Sequence, residues 1–165
     1  MPGQETRQQA NKYKLSAIKF EIEDKNVLVV DDSIVRGNVS RHIVKLMREN
    51  GAKNVYFASA SPPLRYPDLY GIDLPTRDEY ISYNRTIDQI RESIGADLLI
   101  YQDLEDLIEA VTRKGELKFK RPHCAYFDGK YPTAVTEEIL NQIEQQRKLE
   151  RAGIQDNQVK QSSLI

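Results

Sequence analysis

Hydrophobic and polar positions fall along this chain in short blocks whose period changes from two residues to nearly four. The β-branched run "NVLVV" (26–30), bounded by charge, predicts a strand buried on both faces of a parallel sheet. In "SRHIVKLMRENGAK" the apolar residues Ile43, Val44, Leu46 and Met47 recur at helical spacing, with Ser40 as the expected N-cap and Gly51 as the stop. "NVYFASA" (54–60) reads as a second strand, so the first three elements form a strand–helix–strand unit. "SPPLRYPDLYGIDLP", rich in Pro, Tyr and Gly, is expected to be a long irregular loop. "TRDEYISYNRTIDQIRESIGA" predicts one or two helices with Thr76 capping the first, and "DLLIYQ" (97–102) a third strand. "DLEDLIEAVTRK" predicts a helix capped by Asp103, and "PHCAYFDGKYPT" a short strand and turn. From Thr136 the text is helical to 154, and 155–165 reads as a disordered tail. Residues 1–20, polar and basic without a clear period, read as a mobile arm or loop. The fold class is α/β with a small parallel sheet and flanking helices.

Composition narrows the function classes. The 165 residues suit one domain of ordinary size, spanning 1–135. A formal net charge of −1 gives no global attraction to nucleic acid or an anionic membrane. The single cysteine, Cys124, excludes an internal disulfide and any multi-cysteine metal site built from this chain alone; beside aromatic residues it reads as packing. No apolar run reaches the length of a membrane span and the first residues lack a signal-peptide core, so a cytoplasmic location is expected.

The chemistry concentrates in "VLVVDDSIVRGNVS", where a strand runs straight into Asp31 and Asp32, followed by a loop with Arg36 and Gly37 and then a helix N-terminus. In open α/β sheets ligands bind at the carboxyl ends of strands, and a helix N-terminus offers unpaired N–H groups to an anion. Two carboxylates beside such an anion site suit a ligand with hydroxyls at one end and phosphate at the other. One alternative is plain helix capping by an aspartate. Another is a receiver domain whose acidic pair holds magnesium. That reading requires an Asp ending a later strand and a Lys ending another, and the later strands run instead into "ASASPP" and "IYQDLEDL".

The same stretch resembles the phosphoribosyl-pyrophosphate (PRPP) motif of the type I phosphoribosyltransferases, in particular the amidophosphoribosyltransferase family. "MPGQ" at the start, "KL" at 14–15, "GAKNVYFASASPPLRYP", "YGIDLPTRDEYI", "IGADLLIYQDLEDLI" and "FDGKYPT" are similar to successive segments of the C-terminal half of that family, so the resemblance covers residues 1 to about 135. It implies a partial type I phosphoribosyltransferase fold lacking its first strands. It also implies a reaction in which ammonia released from glutamine displaces pyrophosphate from PRPP to give phosphoribosylamine, the first step of purine synthesis. On this chain Asp31 and Asp32 would hold the ribose hydroxyls, directly or through Mg²⁺. Ser33, Ile34, Val35, Arg36, Gly37, Asn38, Val39 and Ser40 would wrap the 5-phosphate, and Lys14, on the family's flexible catalytic loop, would reach the pyrophosphate. Because ammonia is the nucleophile, the resemblance gives His42 and His123 no chemical role.

The pattern departs from the family at three points. Nothing corresponds to the glutaminase domain with its N-terminal cysteine, or to the pyrophosphate loop. Val39 stands where a threonine is usual, and Lys12 where an arginine is usual. The expected partners are PRPP, purine nucleotide inhibitors, and either further copies of the chain or a complementing N-terminal half. The competing reading is a non-catalytic, partner-binding remnant.

Overall fold

The computed structural model describes residues 19–71, 76–119 and 121–162, with 151–162 as backbone only. The arm expected over residues 1–20 lies outside the described residues as far as 18; at Lys19–Ile22 the chain makes one helical turn, α1, burying Ile22. The chain forms two compact units, one from residues 19–62 and 84–103, the other from 63–83 and 104–162. No helix among the described residues is long and apolar enough to cross a membrane.

The first unit carries the sheet. Strands β1 (Asn26–Asp31), β2 (Asn54–Ser59) and β3 (Leu98–Tyr101) pair in parallel in the order β1-β2-β3. Leu28 stands opposite Tyr56, and Tyr56 opposite Leu98; Val30, Ala58 and Ile100 are aligned in the same way one pleat further on. Helices α2 (Asn38–Glu49) and α3 (Ile87–Ile94) touch each other, and they touch β2 and β3 respectively. Val55 and Phe57 of β2 are fully buried with Val44, Ile90, Ile94 and Leu99.

β1 departs from expectation. Its residues alternate between partly covered and exposed, with Leu28 and Val30 open to solvent, so the strand is not buried on both faces. The continuous apolar run in the sequence cannot distinguish a strand covered twice from one whose second cover is missing.

Helix α2 also begins earlier than its Ser40 signal. Gly37, at φ 73°, turns the chain in the left-handed region, so that Asn38 is already helical and Ser40 is buried in the first turn. Helix α3 starts with a reciprocal pair, Gln89 N–H donating to Thr86 Oγ1 (3.2 Å) and Thr86 N–H donating to Gln89 Oε1 (2.9 Å). Arginines serve the carbonyls at and just beyond its other end: Arg41 Nε donates to Ser93 O at 2.9 Å and Arg48 to Gly95 O at 3.2 Å.

In the second unit the expected loop after Ser61 is irregular where described, and Thr76 precedes a single 3₁₀ turn, Arg77–Glu79. Helix α4 (Leu104–Val111) follows Asp103 directly. The strand expected within "PHCAYFDGKYPT" is instead a short helical turn, α5 (Ala125–Asp128), ended by Gly129 at φ 73°. A Cβ at Gly129 would lie 3.0 Å from the Tyr66 ring, so a side chain there would have to push the ring aside as well as take up the strained left-handed backbone. Helix α6 (Glu137–Ser162) continues past 154. Its residues there are polar but include good helix formers and no proline.

Candidate functional site

The site is built at the carboxyl end of β1. Asp31 is the last strand residue; its carbonyl accepts from Ala60 N–H at 2.8 Å, which fixes the strand end against the chain leaving β2. Its Oδ1 accepts from Asp32 N–H at 3.0 Å, and Asp32 Oδ1 accepts from Ser33 Oγ at 3.1 Å. Each carboxylate therefore spends one oxygen on local hydrogen bonds, and Oδ2 of each has no such bond. Ile34, 2% exposed, anchors the loop from beneath, and Gly37 turns it into α2.

Helix α2 has no side-chain cap and no acidic residue in its first turn. Its leading N–H groups, those of Asn38, Val39 and Ser40, are therefore available as anion donors at the positive end of the helix dipole. Asn38 is held by Arg41, whose Nη1 donates to its Oδ1 at 3.0 Å. Asp31–Ser33 and Val35–Ser40 line a cavity of about 370 Å³. The structure thus brings together every residue predicted from Asp31 to Ser40 except Ile34, which supports the loop rather than lining it. Val39 presents an exposed apolar side chain to the same cavity. Lys14 and Lys12 lie outside the described residues.

The carboxylate pair supplies hard oxygen donors of the kind Mg²⁺ takes when it keeps several waters and shares a phosphorylated ligand. Among the described residues no cluster of three or more His, Cys, Asp or Glu forms a cage for a metal held by protein alone. Two hard oxygen donors without further protein ligands suit a hydrated divalent cation.

The second unit holds a pair the sequence reading passed over. Asp68, 1% exposed, accepts from Tyr70 N–H at 2.9 Å and meets His123 Nε2 at 2.8 Å; the imidazole packs edge-on to Tyr70 and Tyr126. The two residues stand 55 positions apart with no local motif around either, so nothing in the sequence joins them. His42 is exposed on α2. Cys124 is buried, and burial pushes its thiol up, away from the reactive thiolate.

No family model matches the chain. Among curated proteins it is similar to the amidophosphoribosyltransferases of Pseudomonas aeruginosa (52% identity), Escherichia coli (51%) and Bacillus subtilis (42%), over 89%, 81% and 84% of this chain. The chain spans about 29% of the length of the Pseudomonas aeruginosa protein. Among solved structures it superposes on glutamine PRPP amidotransferase from Bacillus subtilis complexed with ADP and GMP, with a TM-score of 0.66 and 36% identity over 84% of this chain and 30% of that one. A structure described as the allosteric regulatory enzyme of purine biosynthesis matches with the same TM-score at 37% identity. Parallel sheet, acidic strand end and glycine-turned loop together define part of a type I phosphoribosyltransferase domain. Within that class the chain belongs to the amidophosphoribosyltransferase family, as a C-terminal portion of its phosphoribosyltransferase domain.

Proposed function

We propose that this chain carries the PRPP-binding half-site of an amidophosphoribosyltransferase, acting in the cytoplasm in the step that makes phosphoribosylamine from PRPP and ammonia. The observation that carries the reading is the placement of Asp31 and Asp32 beside the uncapped N-terminus of α2 in one cavity. The helix N–H groups and the Ser33 and Ser40 hydroxyls take the 5-phosphate, and the loop backbone approaches it closely at Gly37. The free carboxylate oxygens orient the ribose through its hydroxyls and face the positive charge that develops on the sugar as the anomeric bond breaks. Asp31 and Asp32 would hold Mg²⁺ together with substrate, and the ion would supply charge neutralisation for the departing pyrophosphate. Lys14 is proposed to reach that pyrophosphate. Purine nucleotides are proposed as further ligands, since the matched Bacillus subtilis structure was obtained with ADP and GMP. Val39 favours a second reading, a chain that binds weakly and does not turn over.

Calorimetric titration of the full chain with PRPP tests the site. Saturable binding that requires Mg²⁺ is expected, weakened about tenfold or more in Asp31→Asn and Asp32→Asn, the worth of one hydrogen bond to a charged group. Binding unchanged in both variants, or absent at millimolar PRPP, defeats the reading.

A further inference from the structure

Arg41 joins two elements through one rigid plane. Its Nε donates to Ser93 O at 2.9 Å, in the last turn of α3, and its Nη1 donates to Asn38 Oδ1 at 3.0 Å, at the first residue of α2. Asn38 lines the cavity of the acidic loop. Arg41 lines instead a separate cleft of about 470 Å³ between α2 and the end of α3, with Arg48, Ser93 and Gly95. The guanidinium therefore bears on the first cavity through Asn38 and not by contact.

The pairing decides which end of the amide is left over. An asparagine side chain has an acceptor at one end and two donors at the other, and arginine offers donors only. Oδ1 must be the atom that meets Arg41, so Nδ2 keeps its two N–H groups for another acceptor. The two residues that follow do not supply such a donor at the surface of the turn: Val39, 66% exposed, has no polar side-chain atom, and Ser40 is 2% exposed. An exposed asparagine exchanges between rotamers and amide orientations, and a ligand must order it on binding. Held by a guanidinium that is itself fixed to a backbone carbonyl, this amide is ordered beforehand. Lysine lacks the plane that sets both directions at once.

We propose that Arg41 is a positioning residue for the phosphate end of the PRPP site: it turns Asn38 Nδ2 toward the 5-phosphate, where the amide supplies a donor that Val39 lacks. The inference rests on the half-site reading above and adds to it a residue outside the loop.

The test is titration calorimetry of the full chain with PRPP and Mg²⁺ and, separately, with ribose 5-phosphate, which carries the phosphate end alone. Asn38→Ala weakens both ligands by about tenfold, the loss of one donor to a charged acceptor. Arg41→Met and Arg41→Lys each weaken both by about threefold to tenfold. Combined with Asn38→Ala, Arg41→Met changes affinity by less than about twofold further, because the arginine acts only through that amide. A direct effect of charge would instead spare Arg41→Lys, persist beside Asn38→Ala and fade with added salt. A purely structural role would lower the melting temperature of Arg41→Met and leave affinity unchanged. Either result overturns the proposal. Both side chains are exposed, so the substitutions leave folding cooperative. If Arg41→Met melts without cooperativity, Arg41→Lys and Asn38→Ala carry the test. Binding that is weakened by Asp31→Asn yet unchanged in Asn38→Ala and Arg41→Lys overturns this inference alone. A wild-type chain that binds neither ligand overturns the half-site reading and this inference with it.

Discussion

Val39 sits in the first turn of α2, with 66% of its surface exposed and facing the cavity of the acidic loop. Two methyl groups occupy a position from which a hydroxyl could donate to phosphate. Val39→Thr keeps the β-branched shape and adds that donor. PRPP affinity, measured by titration in Mg²⁺, is expected to rise about ten- to a hundred-fold, the worth of a hydrogen bond to a charged acceptor of about 1.5–3 kcal/mol. A change of less than about twofold on this scale would mean that the 5-phosphate does not reach this turn. The loop was legible from sequence because its parts are consecutive: strand end, two carboxylates, glycine, helix start. The Asp68–His123 pair was not, because only the tertiary fold brings those residues to 2.8 Å.

Among the elements, α6 is held to the 3₁₀ turn by Arg77. This guanidinium, whose side chain is 12% exposed, donates to Glu144 at 3.0 Å, Glu137 at 2.8 Å and Asn141 at 2.7 Å. Burial works against its charge, but the Glu144 and Glu137 contacts outweigh it and raise its pKa. Arg77→Ala leaves the largely buried Glu144 carboxylate without its hydrogen-bonded guanidinium. About 3–5 kcal/mol of stability is expected to be lost in urea unfolding of the second unit. A loss below about 1 kcal/mol would show the network to be no better than a surface pair. The sequence named Thr76 as a cap but gave no sign of Arg77, whose acidic partners lie 60 and 67 positions away.

In the first unit the residue before β3 performs a comparable task. Asp97 Oδ2 accepts from Arg48 at 2.9 Å and from Val55 N–H at 2.6 Å, and those two bonds hold its carboxyl below the usual carboxylate range. A depressed folded value means the stabilisation is fully present above the unfolded value of about 3.9 and is lost as pH falls through the folded one. Acid titration of the melt should show this loss below about pH 4 in the wild type and a shallower slope in Asp97→Asn. Identical slopes would assign the acid sensitivity elsewhere. The side chain is about one-third exposed, so the difference should be modest. Element boundaries proved less readable than element types. Ser40 looked like a cap because the left-handed turn at Gly37 is invisible in a hydrophobic pattern, and the apolar "CAYF" fits a strand and a helical turn equally well.

At the scale of the molecule, the parallel α/β class could be read from apolar runs alternating with helical periods, but the division into two units could not. The sequence pattern treats 1–135 as continuous, whereas contacts assign 63–83 to the second unit and return 84–103 to the first. Propensity has no memory across such distances; only packing decides which side of a boundary a segment joins.

This interleaving has a consequence for the order of events during synthesis. The first unit has all its strands once Tyr101 has emerged, and can close its helices over Phe57 while translation continues. The inserted segment cannot follow at once: Asp68 waits 55 residues for His123, and Arg77 waits 67 for Glu144. At about 5–20 residues per second, the Asp68–His123 and Arg77–Glu144 contacts wait roughly 3–13 s to form. During that interval the inserted segment awaits the polar contacts of its own C-terminal helix, while the sheet already displays Leu28, Val30, Leu98 and Ile100 to solvent.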